Sequence, residues 1–225
     1  MSKHLMIFTA IMLYLSNIQK WYGSHHIFSI GELTLPAGIY WLKGANGAGK
    51  STFMKILAGL IPFKGEISIE NNISLRKNPV PYRLLLNHAE AEPVYPSFLT
   101  GNELVEFVSN IKKGTKEQVN EIKDILGVDD YLQNPTGSYS SGMLKKLSLL
   151  MAFIGQPKWI LLDEPLTTLD QSSQKALCEL IMQQWQQKNI SFIITSHHDI
   201  ENAAIHFDKT FLLKDKQLLS INPSL

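Results

Sequence analysis

Cysteine is nearly absent. Cys178 is the only one among 225 residues, which excludes an intrachain disulfide framework and a cysteine-built metal site and fits a reducing compartment. Its helical neighbours make it an expected core residue. Long apolar runs are missing as well: no stretch approaches the ~18 to 20 apolar residues that cross a bilayer as a helix, so any membrane role has to be borrowed from a partner. Nor is there a surplus of one charge. With 21 Lys and Arg against 20 Asp and Glu the formal net charge is +1, which removes the global electrostatic case for nucleic acid or for an acidic membrane surface. Internal repeats and low-complexity segments are absent too. What remains, 44% hydrophobic and 18% charged residues, is an ordinary globular composition, long enough for one large core or two modest ones. Leu5 to Leu15 is mostly apolar behind Lys3 and has the outline of a signal peptide, but no small-residue cleavage site follows, so export is not expected.

The most informative stretch that is present is Gly44-Ala45-Asn46-Gly47-Ala48-Gly49-Lys50-Ser51, which has the phosphate-loop pattern of Gly, four residues, Gly-Lys and Ser or Thr. Phosphate oxygens require a backbone that curls around them with its N–H groups inward. Glycine permits this without Cβ clashes, hence Gly44, Gly47 and Gly49. Lys50 adds a mobile ammonium for the β- and γ-phosphates, and Ser51 is placed to ligate Mg²⁺ at the positive end of the helix that starts there. Asn46 and Thr52 complete the candidate contacts, and the implied ligand is a nucleotide. The context agrees: Ile39 to Leu42 reads as a short buried strand entering the loop, and Phe53, Ile56, Leu57 and Leu60 follow at helical spacing until Pro62.

Along the rest of the chain, Met12 to Lys20 alternates as a first strand, Trp21 to His26 reads as a turn, and a second strand is expected near Ile27 to Leu35. Residues 1–11 lie outside this pattern. They are expected to be loosely attached, or an upstream extension of a product that begins at Met12, and their deletion is expected to leave nucleotide binding unchanged. Glu66 to Ile69 is a short alternating strand, and Leu84 to Leu86 reads as a buried strand that stops at Asn87. From about residue 93 to 140 amphipathic helices at Asn102 to Lys113 and Lys116 to Leu126 read as a helical insertion. A helix at Met143 to Ile154 follows, and alternation resumes with Trp159 to Leu162, Ser172 to Lys188 and Ile190 to Thr195. The fold class expected is α/β, one domain over 1–225: a mostly parallel sheet, an N-terminal antiparallel layer and the insertion.

Trp159 to Leu162 ends in two carboxylates, Asp163 and Glu164. Neighbours on a strand point to opposite sides, so one suits a magnesium shell and the other a water. In a parallel sheet ligands bind at the carboxyl ends of strands, and three such ends carry suitable groups: the loop after Leu42, Asp163-Glu164 after Leu162, and His197 after Thr195.

In this order the residues resemble the ATP-binding cassette (ABC) family, from about Leu13 to the last strand. Gly44 to Ser51 looks like its Walker A motif on a P-loop NTPase core, Asp163 and Glu164 like Walker B and the catalytic glutamate. Leu169-Asp170 resembles the D-loop, His197 in Thr195-Ser196-His197 the switch histidine, and Tyr22 stands where the family stacks an aromatic on adenine. Taken singly, Asp170 suits a helix N-cap and Tyr22 a surface aromatic, and a lone histidine is usually structural; in this order the functional readings take precedence. The family's signature, Leu-Ser-Gly-Gly-Gln, is matched in part by Tyr139-Ser140-Ser141-Gly142-Met143: Ser140 and Gly142 are kept, Ser141 and Met143 depart, and a plain N-cap at Ser140 or Ser141 fits the same letters. The family's Q-loop glutamine has no counterpart, since no glutamine occurs between Lys20 and Gln118. Glu90 is the best positional substitute, with Ala91 second; Glu90 would act as a charged ligand to Mg²⁺ or water, or is an exposed loop acid.

The resemblance implies ATP and Mg²⁺ as cofactors and hydrolysis in a head-to-tail homodimer or heterodimer. Each nucleotide would lie between the Walker motifs of one chain and the Ser140 to Gly142 loop of the other. Lys50, Glu164 and His197 are the implied catalytic residues; Ser51, Asp163 and Glu90 the implied metal ligands. A separate transmembrane permease is the implied partner, with its cytosolic helix in the groove beside the insertion, which places the chain in the cytoplasm at the inner face of the membrane. Compact length and a short insertion look like the ATP-binding subunits of small bacterial exporters, with an importer left open. A regulatory or structural cassette with weak turnover is the alternative. A small-molecule kinase is disfavoured by the partial signature, Asp170 and His197.

Overall fold

The computed structural model describes residues 11–70, 72–196 and 205–221. The expectations for residues 1–10 and for His197 lie outside the described residues. The chain opens with β1 (Leu13–Tyr22), β2 (His25–Ile30), β3 (Leu33–Leu35) and β4 (Ile39–Lys43), then α1 (Lys50–Leu57), β5 (Lys64–Ile69) and β6 (Ile73–Ser74). Next come α2 (Pro79–Leu85), β7 (Leu86–Ala89), α3 (Gly101–Lys112), α4 (Lys116–Leu126) and α5 (Ser141–Ala152). The last are β8 (Trp159–Leu162), α6 (Gln171–Lys188), β9 (Ser191–Thr195), β10 (Lys209–Lys214) and β11 (Gln217–Ile221).

One sheet has the order β11-β10-β4-β9-β8-β7, parallel throughout except for β11 at its edge. The other is antiparallel around β1, which pairs with β2, β3 and β5. The expected α/β architecture, with its antiparallel layer and mostly parallel sheet, is the one formed. Because α1 and the antiparallel layer cover one face of the parallel sheet and α5 and α6 the other, its strands are apolar on both sides and their residues divide alternately between two cores. In β8, Ile160 and Leu162 face the core with Leu147, Leu150 and Leu177, whereas Trp159 and Leu161 face the core with Met54 and Leu57. Cys178 is buried in the first of these, as expected.

Two expectations are corrected. Leu84 and Leu85 are not strand: they end α2, whose Pro79 occupies the first turn, where a missing N–H costs nothing, and whose buried Tyr82 donates its hydroxyl to Leu57 O at 2.8 Å. The strand begins at Leu86 and continues through Asn87 instead of stopping there, because Asn87 Nδ2 donates to Ala152 O at 2.8 Å and Ile154 O at 2.9 Å. The donor side of the amide is thereby paired with carbonyls at and just beyond the end of α5, while Asn87 Oδ1 stays buried without a hydrogen-bond partner. At the N-terminus, the turn is shorter than expected. β1 runs to Tyr22, and Gly23 at φ 57 turns the chain so that Tyr22 opposes His25. Among the described residues no helix is long and apolar enough to cross a membrane.

Candidate active site

The loop after β4 is shaped by its glycines. Gly47 and Gly49 have φ of 78° and 103°, and Gly49, as N-cap of α1, has Ile27 Cγ2 only 2.8 Å from where a Cβ would stand. A side chain there would meet both a disfavoured backbone and an apolar wall. Asn46 and Ser51 are exposed and Thr52 half-buried, while Lys50 is buried, its Nζ donating to Gly44 O at 2.7 Å and Ala45 O at 3.3 Å. Burial holds the Lys50 ammonium below its usual range; the negative charges of Glu164 and Asp163 oppose that shift. A cation thus lies inside the loop with two carboxylates close enough to act on it.

Asp163 and Glu164 follow β8 directly and are both buried, at 1% and 6% exposure. A hydroxyl that the motif reading does not single out holds them. Thr195 Oγ1, at the end of the adjacent β9, donates to Asp163 Oδ1 at 2.6 Å and accepts from Glu164 N–H at 2.8 Å. Glu164 itself adopts φ 48, the left-handed region that costs a non-glycine residue on the order of 1–3 kcal/mol. Its carbonyl accepts from Thr167 Oγ1 at 2.8 Å. A cavity of about 550 Å³ gathers Ser51, Glu90, Asp163 and Glu164 with Lys55, Thr167 and Thr168. Four of the predicted residues, from the first turn of α1 and the segments after β7 and β8, therefore share one space.

The donor set in that cavity is a serine hydroxyl and carboxylate oxygens, the hard ligands that Mg²⁺ takes; among the described residues no cluster of three or more His, Cys, Asp or Glu forms a closed metal cage. An open site suits Mg²⁺, which is bound by one or two carboxylates together with substrate phosphates. Glu90 is less available than the others, since its carboxylate pairs with Lys55 Nζ at 3.4 Å.

Other predicted residues lie at the edges. Tyr22 is 51% exposed, with Lys20 Nζ 4.3 Å from its ring centroid. Its hairpin partner His25 lines a cleft of about 210 Å³ with His26, Gly47 and Ala48, which brings the hairpin to the phosphate loop. Ser140 and Ser141 are exposed at the start of α5. Ser140 is its N-cap, accepting from Met143 N–H at 3.3 Å while Met143 Sδ accepts from Ser140 N–H at 3.5 Å. Gly142 faces the loop after Glu164: a Cβ there would stand 2.9 Å from Thr168 O, and Thr168 has φ 63, unusual for a β-branched residue. Asp170 caps α6, accepting from Ser173 N–H at 2.9 Å and from the hydroxyls of Ser172 and Ser173, which hold its carboxyl well below the usual range. Lys146 Nζ lies 3.9 Å from its carboxylate.

The ABC transporter family model matches residues 32–167. The chain is 30% identical over 197 residues to the lantibiotic transport ATP-binding protein SrtF of Streptococcus pyogenes, covering 86% of this chain and 84% of that one. It is 28% identical over 210 residues to the aliphatic sulfonates import ATP-binding protein SsuB of Pseudomonas fluorescens, covering 92% and 75%. It is also 28% identical over 184 residues to the uncharacterized ABC transporter ATP-binding protein YxlF of Bacillus subtilis, of which it spans 59%. A solved ATP-binding subunit of an ABC transporter shares the fold, with a TM-score of 0.80 at 23% identity over 92% of this chain and 88% of that one. With the family model spanning more than half of its residues, the chain belongs to the ABC transporter family, as an ATP-binding subunit.

Proposed function

We propose that this chain binds and hydrolyses ATP to drive a separate membrane permease, and that it works in export. The observation that carries the reading is the convergence of Ser51, Asp163 and Glu164 on one cavity beside the Lys50 loop. ATP-binding subunits of this family are ATPases coupled to transport. Lys50 and the loop amides hold the phosphates, with Asn46, Thr52 and Tyr22 completing the nucleotide contacts, and Ser51 and Asp163 hold Mg²⁺. When bound, Mg²⁺ offsets the negative charge that gathers on the phosphates. Glu164, presented by its left-handed backbone and the Thr195 bridge, orients the attacking water and accepts its proton. His197 is assigned the γ-phosphate contact. Residues 1–225 are taken as one ABC ATPase domain, with the insertion at about 93–140.

The second half of the site is assigned to Ser140, Ser141 and Gly142 of another copy or a related subunit, with Asp170 beside the same junction. The permease is assigned a groove of about 590 Å³ between α3 and the sheet, lined by Leu60, Arg83, Val94, Tyr95, Val108 and Met151. That seat makes the chain peripheral at the cytoplasmic face of a membrane. Export rests on the compact insertion; the relatives include one named for import and one named for transport without a direction.

A cassette with little turnover is the competing reading. It draws on the mutual capping of Ser140 and Met143, which occupies the serine that would otherwise reach across a dimer. Glu164→Gln separates the two. On the hydrolytic reading it lowers ATP turnover by roughly 10²–10⁴-fold and leaves binding of a fluorescent ATP analogue intact. Turnover already at background in the unaltered protein with its permease, and unmoved by the substitution, would favour the regulatory cassette.

A further inference from the structure

Lys145 is the most deeply buried cation of the described residues, at 1% exposure. It belongs to α5, the helix that Ser140 caps, yet its ammonium ends among carbonyls of two other segments. Nζ donates to Glu90 O at 3.0 Å and to Ala91 O, both just after β7, and to Asp163 O at 3.3 Å, just after β8. Three carbonyls thus meet the three donors of an ammonium.

Packing alone does not require this arrangement. A buried charge is costly, and an apolar side chain of similar volume is often neutral or stabilising in its place. What the ammonium adds is a connection. Glu90 borders both the groove of about 590 Å³ and the cavity of about 550 Å³, and Ala91 borders the latter, so the segment it grips separates the two spaces. Burial lowers the hold of Lys145 on its proton, and the negative charges of Asp163, Glu164 and Glu92 oppose that shift.

We propose that Lys145 is a positioning residue whose ammonium clamps the chain leaving β7 to the chain leaving β8, so that a displacement of Glu90 and Ala91 at the groove is carried to Asp163 and Glu164. The clamp stands in this chain beside a Q-loop position that holds glutamate, and it joins the signature helix to both segments. It rests on the ATPase reading for its catalytic consequence and on the hydrogen-bond geometry for its existence.

The test compares the full-length protein with Lys145→Met, which keeps the stem without the charge, and Lys145→Arg, which keeps charge and donors. Three quantities are read: kcat and KM for MgATP, affinity for a fluorescent ATP analogue, and amide hydrogen exchange in peptides spanning His88–Pro93 and Leu161–Leu166. The expected result for Lys145→Met is a kcat lower by roughly 10–100-fold, the loss typical of residues that orient a metal-bound site, with affinity for the analogue nearly unchanged. Exchange should rise in both peptides together, and Lys145→Arg should recover most of kcat. A folded Lys145→Met with unchanged kcat, a loss confined to KM, or exchange that rises evenly along the chain overturns the clamp. If Lys145→Met does not fold, Lys145→Gln takes its place, and the same results support or overturn the clamp. If the unaltered protein hydrolyses no ATP, the ATPase reading falls, while the paired exchange still decides whether the two segments are joined.

Discussion

Thr195 shows how much one hydroxyl can decide. It is fully buried, and its single oxygen both receives a backbone N–H from Glu164 and donates to Asp163. Thr195→Val preserves shape while removing both bonds. Leaving a buried donor and acceptor without partners costs about 1–3 kcal/mol, so urea unfolding should show a loss of that size, and turnover should fall more than nucleotide affinity. The phosphate loop and the acid pair are legible in the sequence because each is a local pattern whose chemistry is set by immediate neighbours. Thr195 and Lys145 are not, because their meaning depends on partners 31 and 32 positions away for the threonine, and 55, 54 and 18 for the lysine. Topology delivers those partners. Glu90 is intermediate: its position is readable, its pairing with Lys55 is not.

Elements built on strong periodicity are readable nearly to the residue, as with α4 at Lys116–Leu126 and β8 at Trp159–Leu162. The α2 to β7 boundary is not. Leu84-Leu85-Leu86 is a short apolar run that serves a buried helix end and a buried strand equally well, and periodicity cannot divide it. The strand is recognised only once Asn87 is seen to serve α5, whose last carbonyls lack helical partners. Asn87→Leu removes one unpartnered oxygen but strands two carbonyls, those of Ala152 and Ile154, so it should destabilise the fold by about 1–3 kcal/mol in spite of its greater hydrophobicity. A lower urea midpoint with an unchanged slope is the expected result; a midpoint at or above that of the unaltered protein would show that water or neighbouring groups replace the amide.

For the molecule as a whole, one half-buried ammonium, Lys112, and one buried ammonium, Lys145, tie the helices α3 and α5 to the segments that flank β7 and β8. Lys112 on α3 donates to Arg83 O and, at 3.3 Å, to Leu86 O, and burial with the nearby Arg83 charge pushes it down to about 8. Burial likewise pushes Lys145 down to about 8 against the surrounding carboxylates. In the unfolded chain both return to the ordinary lysine range, so between about pH 8 and pH 10 the unfolded state binds more protons than the folded one and stability rises with pH. Above that window buried Tyr40, pushed up to about 12, reverses the trend, because the unfolded state then loses a proton that the folded state keeps. Unfolding free energies at pH 7.5 and 9.5 should show the gain, and Lys112→Met should flatten part of it; a rise identical in the variant would assign the effect elsewhere.

Gly142 and Thr168 bring one more consequence. The start of α5 and the loop that follows Glu164 meet at Gly142 and Thr168, with no room for a methyl group between them. Under the head-to-tail arrangement proposed above, a neighbouring subunit that bears on either loop would bear on both.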